Sequence, residues 1–500
     1  MRLRILGMAA AASLAPWGVV AWGAPPAWYG YAGNAQHTAP APSAAQNLTK
    51  ILWSTPVDLD PQYQEDELLI HYASPMITAR NTVLIGVKTG ATGGWQVEGH
   101  KGTTGTRIWT ATSDYVLPPS SGWTPSYPAA LSSKERLFFA GAGGTVLYRD
   151  SPDATTGASG RLAFYGLSNW STYSAQLTQT VMVDTPITSD AHGDIFFGFV
   201  VTGSNPLNLI SGIARIGAGG KMTWVSATKA ANDSGITEVA MNCAPAVSAD
   251  GKSIYITVSN GNSGDLLKLN AETLKTEGKV ALVDPSSGEP AWITDLSSAS
   301  PTIGPDGDVY YGVLENPFPN HDDRGWLLHF DGTLATLKTP GSFGWDDTVS
   351  VVPTSAIPSY TGGSAYLLMT KYNNYIDIGP LGDGQNKIAI LDPDNTQQDE
   401  YSTTPVTVMK EVETQLGPTG APDGGLYEWC INSAAVDGHT GSVFAGSENG
   451  HMFRWNLAAN SLSQNLELNA PRGEAYTPSL VGVGGTVYSI NNATLYAIGN

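Results

Sequence analysis

Five residues carry the side chains best suited to acid–base or metal chemistry, and each stands at the start of a recurring apolar segment. They are His71, Asp346, Asp347, Glu428 and Glu474. Two carboxyl groups can act as general acid and general base when their surroundings separate their pKa values. Carboxylate oxygens could instead hold Ca²⁺. Because neighbouring side chains on a strand point to opposite faces, we expect only one of Asp346 and Asp347 to reach a shared site.

Aromatic, acidic and amide side chains occupy the same position in other copies of the segment. A polar ligand such as a sugar is held by aromatic faces and a few convergent polar groups. The candidate ligand-binding residues are Tyr72, Tyr127, Asp184, Asn242, Trp429 and Tyr476. In the alternative interpretation these residues only end strands and bind channel water.

The two cysteines, Cys243 and Cys430, each precede a turn aspartate by seven residues. Matching positions in distant copies lie across the centre of a ring, where the Cα separation would exceed the roughly 7 Å that a disulfide allows. Three states stay open, namely buried thiols, a cross-channel disulfide, and soft metal ligands beside His71. We expect thiols or a disulfide rather than a metal site. The charged run at 321–324 is predicted to be a salt-bridged surface loop.

The recurring segment is a β-hairpin, and it identifies the fold. A small residue or Thr precedes Pro, followed by β-forming residues, a Gly/Asp turn, and a strand rich in Val, Tyr and Phe. The six clear copies start at Ser74, Ser126, Thr185, Ala244, Ser300 and Thr477, and two degenerate copies start at Asp346 and Cys430. A third and a fourth strand follow most hairpins. Four antiparallel strands repeated around an axis form a β-propeller. We therefore predict an all-β chain with eight four-stranded blades, or seven if the copy at Asp346 is an insertion.

The last copy ends on its third strand at Asn500. A strand-like segment at 51–57 precedes the first copy and can supply the missing fourth strand. Borrowing it would close the ring and leave no terminal sheet edge unpaired.

Composition excludes several classes of protein. The formal net charge is −19 and charged residues make up 14%, whereas hydrophobic residues reach 41%. This is too apolar for a disordered chain and too poor in charge for a coiled coil. A net acidic chain has no electrostatic footprint for nucleic acid.

The first residues have the pattern of a secretory signal peptide. Arg2 and Arg4 precede an apolar run, and small residues end it near Gly23. We predict a signal peptide at 1–23, an N-terminal extension at 24–50 and the propeller at 51–500. The protein is expected to be secreted or periplasmic, with no transmembrane segment after signal removal.

Two runs resemble the PQQ-like, quinoprotein-type propeller family. The run WYGYAGNAQHT at 28–38 is similar to its N-terminal signature, and GTTGTRIW at 102–109 is similar to its tryptophan-docking repeat. Trp53 and Trp224 are candidates for the docking Trp of two further blades. For the dehydrogenases of this family, the resemblance implies a quinone and Ca²⁺. This chain lacks their adjacent cysteines and has no C-x-x-C-H haem motif. We expect no cofactor, with Ca²⁺ or the quinone as alternatives.

These observations predict an exported binding or scaffold protein for a glycan, a peptide or a cell-envelope partner at the channel mouth. The alternative is an extracellular or periplasmic enzyme with a carboxylate-lined funnel, such as a polysaccharide lyase or hydrolase, or a quinone-dependent dehydrogenase. An open pocket that gathers His71 and the carboxylates would favour the enzyme. A plugged mouth would favour binding.

Overall fold

Eight antiparallel sheets follow one another in the computed structural model, which describes residues 27–64, 67–120, 122–471 and 479–500. They are the blades of an eight-bladed β-propeller, so the predicted all-β fold is confirmed. The segment after Asp346 forms a blade of its own, which excludes the seven-bladed alternative. The α-helices are Leu167–Thr180 and Ala227–Ala231, and the 3₁₀ turns are Ala142–Gly144, Thr354–Ala356 and Val483–Gly485.

The blades are numbered in chain order, and their strands are given from the channel outward. Blade 1 contains Met76–Ile77, Thr82–Gly90, Gly93–Lys101 and Arg107–Ser113. Blade 2 contains Ala129–Leu131, Leu137–Ala140, Val146–Arg149 and Ser159–Leu162. Blade 3 contains Val181–Val183 with Thr188–Ser189, then Ile195–Val201, Gly212–Ile216 and Met222–Ser226. Blade 4 contains Glu238–Val239 with Ala246–Val247, then Ser253–Ser259, Gly264–Asn270 and Thr276–Ala281.

The second half of the ring follows the same order. Blade 5 contains Thr302–Ile303, Val309–Val313 and Trp326–Phe330, and single bridges from Leu337 and Gly341 stand in for its outer strand. Blade 6 contains Ser350–Pro353, Tyr366–Tyr372, Lys387–Gln398 and Thr407–Leu416. Blade 7 contains Ala435–Asp437, Ser442–Gly446, His451–Asn456 and Ser461–Glu467. Blade 8 contains Leu480–Val481, Val487–Asn491, Thr494–Gly499 and Lys50–Pro56. A small hairpin of Tyr63–Gln64 and Glu67–Leu68 follows.

Burial along a blade explains the low charged fraction. The second strand of blade 4, Ser253–Ser259, is buried at every residue because blades cover both of its faces. Its outer strand, Thr276–Ala281, alternates between half-buried and exposed residues. Only the outer strands therefore have a solvent face for charged side chains.

The ring closes as the sequence predicted. Lys50–Pro56 pairs antiparallel with Thr494–Gly499, so residues from both ends of the described chain share blade 8. Trp53 of this strand donates through Nε1 to the carbonyl of Gly102 at 2.8 Å. Its ring lies against Gly105, whose φ of +68° suits glycine and leaves room for the indole.

The docking role predicted from the family resemblance holds for two tryptophans. Trp109 repeats the Trp53 contact one blade on, donating to the carbonyl of Pro152 at 2.6 Å. Trp224 is 37% exposed and packs edge-on against Phe164 and Phe199. The prediction for Trp224 is therefore wrong, because its indole lies against rings rather than a glycine turn.

The N-terminal extension is part of the propeller rather than a separate tail. From Trp28 to Ala41 its backbone forms hydrogen bonds with the innermost strands of blades 1, 2, 4, 5, 6 and 7, and Gln46 reaches blade 8. These bonds meet the ends of the innermost strands that lie near the hairpin turns. The segment thus covers the channel from the hairpin side. Residues 1–26, with the predicted signal peptide, lie outside the described residues.

Helix Leu167–Thr180 lies in one of the long loops, between blades 2 and 3. Among the described residues, neither α-helix has the length and hydropathy needed to cross a membrane.

Candidate functional site

The loops that lead into the innermost strands open on one face, which we call the entry face. The turns between second and third strands reach the same face, because the first strand runs away from it and the second strand returns. This geometry brings His71, Asp346 and Lys371 together from blades 1 and 6. The first two were predicted from the sequence, whereas Lys371 was not.

Asp346 joins two blades. Its Oδ1 accepts hydrogen bonds from the backbone N and the Oγ of Ser298, at 2.5 and 2.7 Å, at the start of blade 5. Its Oδ2 lies 3.8 Å from Nζ of Lys371. Burial acts to lower the pKa of Lys371, but the charge of Asp346 and neighbouring anionic groups outweighs it and raises that pKa. Lys371 is therefore a buried cation held by its counter-ions.

Asp347 points into blade 6 instead. Thr370 Oγ1 donates to its Oδ2 at 2.5 Å, and the side chain is 1% exposed. Burial raises the pKa of Asp347 to about 7, although the charge of Lys371 opposes the rise. The two aspartates thus diverge, one toward blade 5 and one into blade 6, and both lie under the surface.

His71 stands beside this pair and is covered. Its Nδ1 lies 3.5 Å from Nδ2 of Asn242, and the ring of Trp123 stacks on it with centroids 5.1 Å apart. Burial lowers the pKa of His71, although the charge of Asp346 acts in the opposite direction. The imidazole is therefore neutral at neutral pH, and Trp123 shields it from solvent.

The buried cluster leaves no space for a bulky ligand. His71, Asp346, Asp347 and Lys371 are each between 1 and 4% exposed. A polycyclic quinone would need an open cleft lined by these groups, so the described residues do not fit the quinone that the resemblance implied. The groups meet as an active site would require, but they are enclosed by protein.

A second acidic group lies closer to solvent. Glu428 and Glu448 are half-buried near the Cys430 thiol, which donates to Oε1 of Glu448 at 3.0 Å. Among the described residues, these three form the only set of His, Cys, Asp or Glu ligand atoms within 4.8 Å of one another. Ca²⁺ takes oxygen ligands, so a set of three in which one ligand is a thiol does not suit it.

Like charges dominate around these glutamates. Burial raises the pKa of Glu428, and the charges of Glu448, Asp323 and Glu67 raise it further. Burial also raises the pKa of Glu448, with added repulsion from Glu67 and Asp423. Lys371 is the basic group that opposes both shifts. We call the five carboxylates Glu67, Asp323, Asp423, Glu428 and Glu448 the acidic rim.

Three of the predicted ligand-binding aromatics are buried and pack within the protein. Tyr72 donates to Asp58 at 3.1 Å, beside an ion pair of Asp58 with Lys88. Tyr127 stacks on Trp95 with centroids 4.7 Å apart. Trp429 is fully buried in the core of blades 6 and 7. Their rings face the core because the innermost strands need apolar cover at their ends.

Asp184 and Asn242 lie where the innermost strands of blades 3 and 4 are interrupted. Backbone N of Asn242 donates to the carbonyl of Asp184 at 3.0 Å, and Asn242 Oδ1 accepts from backbone N of Ser126 at 2.9 Å. Asn242 therefore ties three entry loops together. Asp184 lines a cavity described below. The remaining candidates, Glu474 and Tyr476, lie outside the described residues.

Cys243 and Cys430, both among the described residues, are buried thiols that no disulfide joins. Burial raises the pKa of Cys243 to about 11, so its thiol stays protonated at neutral pH. The predicted surface loop at 321–324 is wrong in its exposure. His321, Asp322 and Arg324 are all buried, and His321 stacks on Trp326 and lies 3.1 Å from Asp399.

Lys371 and Glu448 lie outside the loops before the innermost strands, where the sequence pattern placed the candidate site residues. Lys371 is the penultimate residue of a second strand, and Glu448 lies in the turn after one. The propeller repeat itself is the signal that could have found them, since both kinds of connection reach the same face.

No family model matches this chain, and no curated protein matches it. Solved structures do match. A europium-containing methanol dehydrogenase aligns with a TM-score of 0.55 at 9% identity, over 93% of this chain and 89% of that chain. Quinohemoprotein alcohol dehydrogenase from Comamonas testosteroni aligns with a TM-score of 0.54 at 10% identity, over 95% of this chain and 81% of that chain. Sqt1 from Saccharomyces cerevisiae aligns with a TM-score of 0.50 at 10% identity, over 89% of this chain and 100% of that chain.

The resemblance to quinoprotein-type propellers is therefore confirmed at the level of the fold. Identities this low show a shared architecture and carry no chemistry with them.

Proposed function

We propose that this chain is an exported binding protein that holds a basic polypeptide partner at the acidic rim. The observation that carries the proposal is the gathering of five carboxylates at the rim, where burial first and mutual repulsion second raise the pKa of both Glu428 and Glu448. A partner that brings ammonium or guanidinium groups would relieve this repulsion. The net charge of −19 would steer such a partner toward the protein from a distance.

Enclosure of the polar cluster supports binding over catalysis. A general acid or base must come within hydrogen-bond reach of its substrate. His71 and Asp346 are at most 4% exposed, and the N-terminal segment covers the channel from the other side. Two structural neighbours are dehydrogenases by name, but the quinone does not fit here, so we assign no oxidation to this chain.

A polypeptide suits the rim better than a glycan. Sugar sites present aromatic faces to the ligand, and of the aromatics predicted for that role, Tyr72, Tyr127 and Trp429 are buried in the core. The groups that do reach the rim are carboxylates. Their natural complement is the side chain of Lys or Arg.

The test uses the protein without its predicted signal peptide and a capped hexalysine peptide, measured by isothermal titration calorimetry. Wild type is compared with a Glu428→Gln, Glu448→Gln double variant. The control double variant, Asp250→Asn with Glu272→Gln, removes two exposed carboxylates from the hairpin side. The formal net charge is then equal in the two variants, and only the position of the replaced carboxyl groups differs.

We expect the rim variant to bind hexalysine at least about tenfold more weakly, and the control to stay within about twofold of wild type. Capped hexaglutamate should not bind, and a chelator should leave hexalysine binding unchanged. Equal binding by the two double variants would refute the proposal, because attraction would then be a property of net charge alone. Loss of binding on chelation would also refute it and assign the rim to a metal.

A further inference from the structure

A cavity of about 540 Å³ opens on the entry face between blades 3 and 4, away from the acidic rim. It lies where the innermost strands of both blades are interrupted, at 184–187 and 240–245. The interruptions leave a gap between the upper ends of the two blades. The volume is within the ~300–1,000 Å³ usual for small-ligand sites.

Every ionisable side chain among the described residues that line this cavity is acidic. They are Asp184, Glu238 and Asp295. Asp184 is 4% exposed, and its Oδ1 atom is buried without a hydrogen-bond partner. An unsatisfied buried carboxyl oxygen is costly, so the cavity lacks a donor that a ligand could bring.

The rest of the lining decides what kind of donor fits. Val200, Val239, Met241 and Ile293 give the cavity hydrocarbon walls. The three carboxyl groups do not form a ligand set within 4.8 Å of one another, so they do not together make a three-ligand metal site. An organic cation with an aliphatic stem would bring N–H donors to the carboxyl groups and hydrocarbon to the apolar walls.

We propose that this cavity binds an aliphatic ammonium group, with Asp184 accepting its N–H donors, Glu238 and Asp295 adding negative charge, and the valines covering the stem. The inference rests on the proposed function in one respect, because a lysine of the basic partner is one source of such a group. A free alkylamine is the other source.

The experiment measures binding of pentylamine, pentanol and capped lysine (Nα-acetyl-lysine N-methylamide) to wild type by calorimetry. Asp184→Asn and Glu238→Gln are the test variants, and Glu272→Gln is the control. Glu238 is half-buried at the cavity opening, so its variant remains informative should Asp184→Asn fail to fold. Circular dichroism and thermal unfolding report on the fold of each variant.

We expect pentylamine to bind at least about tenfold more tightly than pentanol, and to lose about tenfold in Glu238→Gln but not in Glu272→Gln. Binding of capped lysine would identify a side-chain source, and binding of pentylamine alone a free amine. Equal affinity for pentylamine and pentanol, no binding of either, or full affinity in the variants would overturn the inference. If hexalysine binds the rim while pentylamine fails, only the cavity is refuted. If pentylamine binds while hexalysine fails, only the proposed function is refuted.

Discussion

Replacing Asp347 by Asn tests whether the buried cluster holds a neutral carboxyl group. Thr370 Oγ1 lies 2.5 Å from Oδ2 of Asp347 and 2.7 Å from the carbonyl oxygen of Lys371. When Asp347 is ionised, the single hydroxyl proton of Thr370 is donated to it; when Asp347 is protonated, its carboxyl can donate to Thr370 and leave that proton for the carbonyl of Lys371. The amide of Asn can donate in the same way.

The magnitude follows from the pKa. Burial raises the pKa of Asp347 from 3.8 to about 7, and such a rise corresponds to about 4 kcal/mol between fully protonated and fully ionised folded protein. The folded-state pKa of Asp347 is above the unfolded value, so the stability that its protonated carboxyl contributes is fully present below pH 3.8. This contribution is lost as the pH rises through about 7. Of this total, about 2–3 kcal/mol is lost between pH 5 and pH 8.

The assay is urea unfolding at pH 5 and at pH 8. Between pH 5 and pH 8, we expect the free energy of unfolding to fall by about 2–3 kcal/mol less in Asp347→Asn than in wild type. The control is Asp250→Asn, because the pKa of the exposed Asp250 is lowered to about 2 by its bond to Ser248, and it does not titrate in this window. The control should retain the full wild-type pH dependence.

Two results would refute the reasoning. The first is an unchanged difference between pH 5 and pH 8 in Asp347→Asn, which would mean that Asp347 is ionised throughout. The second is a large loss of stability at pH 5, which would mean that an amide cannot replace a protonated carboxyl at this position.

Four further predictions concern the core, the thiols and the N-terminus. Arg324→Met should lower the free energy of unfolding in urea by about 3 kcal/mol or more. The reason is that the buried guanidinium lies 3.6 Å from the Tyr401 ring centroid and donates to the carbonyl of Ser342. A loss below about 1 kcal/mol would contradict this prediction. Trp53→Ala should cost about 3–5 kcal/mol, whereas Trp224→Ala should cost about 1 kcal/mol or less, so equal losses would contradict the assigned docking roles. Cys243, whose pKa burial raises to about 11, should resist iodoacetamide at pH 8 until the protein is unfolded, as followed by mass spectrometry. N-terminal sequencing of the exported protein should begin at Ala24, the residue after the predicted signal peptide, and an intact Met1 in that fraction would contradict that prediction.

Much of the architecture was predictable because a turn between two apolar runs marks each blade within a short stretch of sequence. Asp-Gly at 306–307 sits between two apolar runs, and the structure has a hairpin there, between Thr302–Ile303 and Val309–Val313. The closing strand was predictable for a different reason, since the last copy lacked a partner for Thr494–Gly499. Turn chemistry and an unpaired edge are properties that a short stretch of sequence contains.

The site was less predictable because its properties depend on distant contacts. Nothing near His71 in the sequence shows that Trp123 covers it, or that Asn242 approaches its ring. Asp346 and Asp347 are adjacent, yet one bonds to Ser298 and the other to Thr370, so their different environments come from two blades. Burial at a channel mouth is set by the whole ring, and a local pattern does not contain it.

The N-terminal segment and the closing strand have a consequence for how the molecule folds. Tyr31 bonds to Thr348, Ser43 to Gly482 and Thr49 to Gly499, across separations of 317, 439 and 450 residues. Such contacts raise the contact order, and loop closure over these lengths slows folding. The strand Lys50–Pro56 is synthesised before the other blade strands, whereas its partner, Thr494–Gly499, is synthesised after them. Assembly of blade 8 is therefore a late step, because its fourth strand lies near the start of the described chain and its other three strands lie at the end.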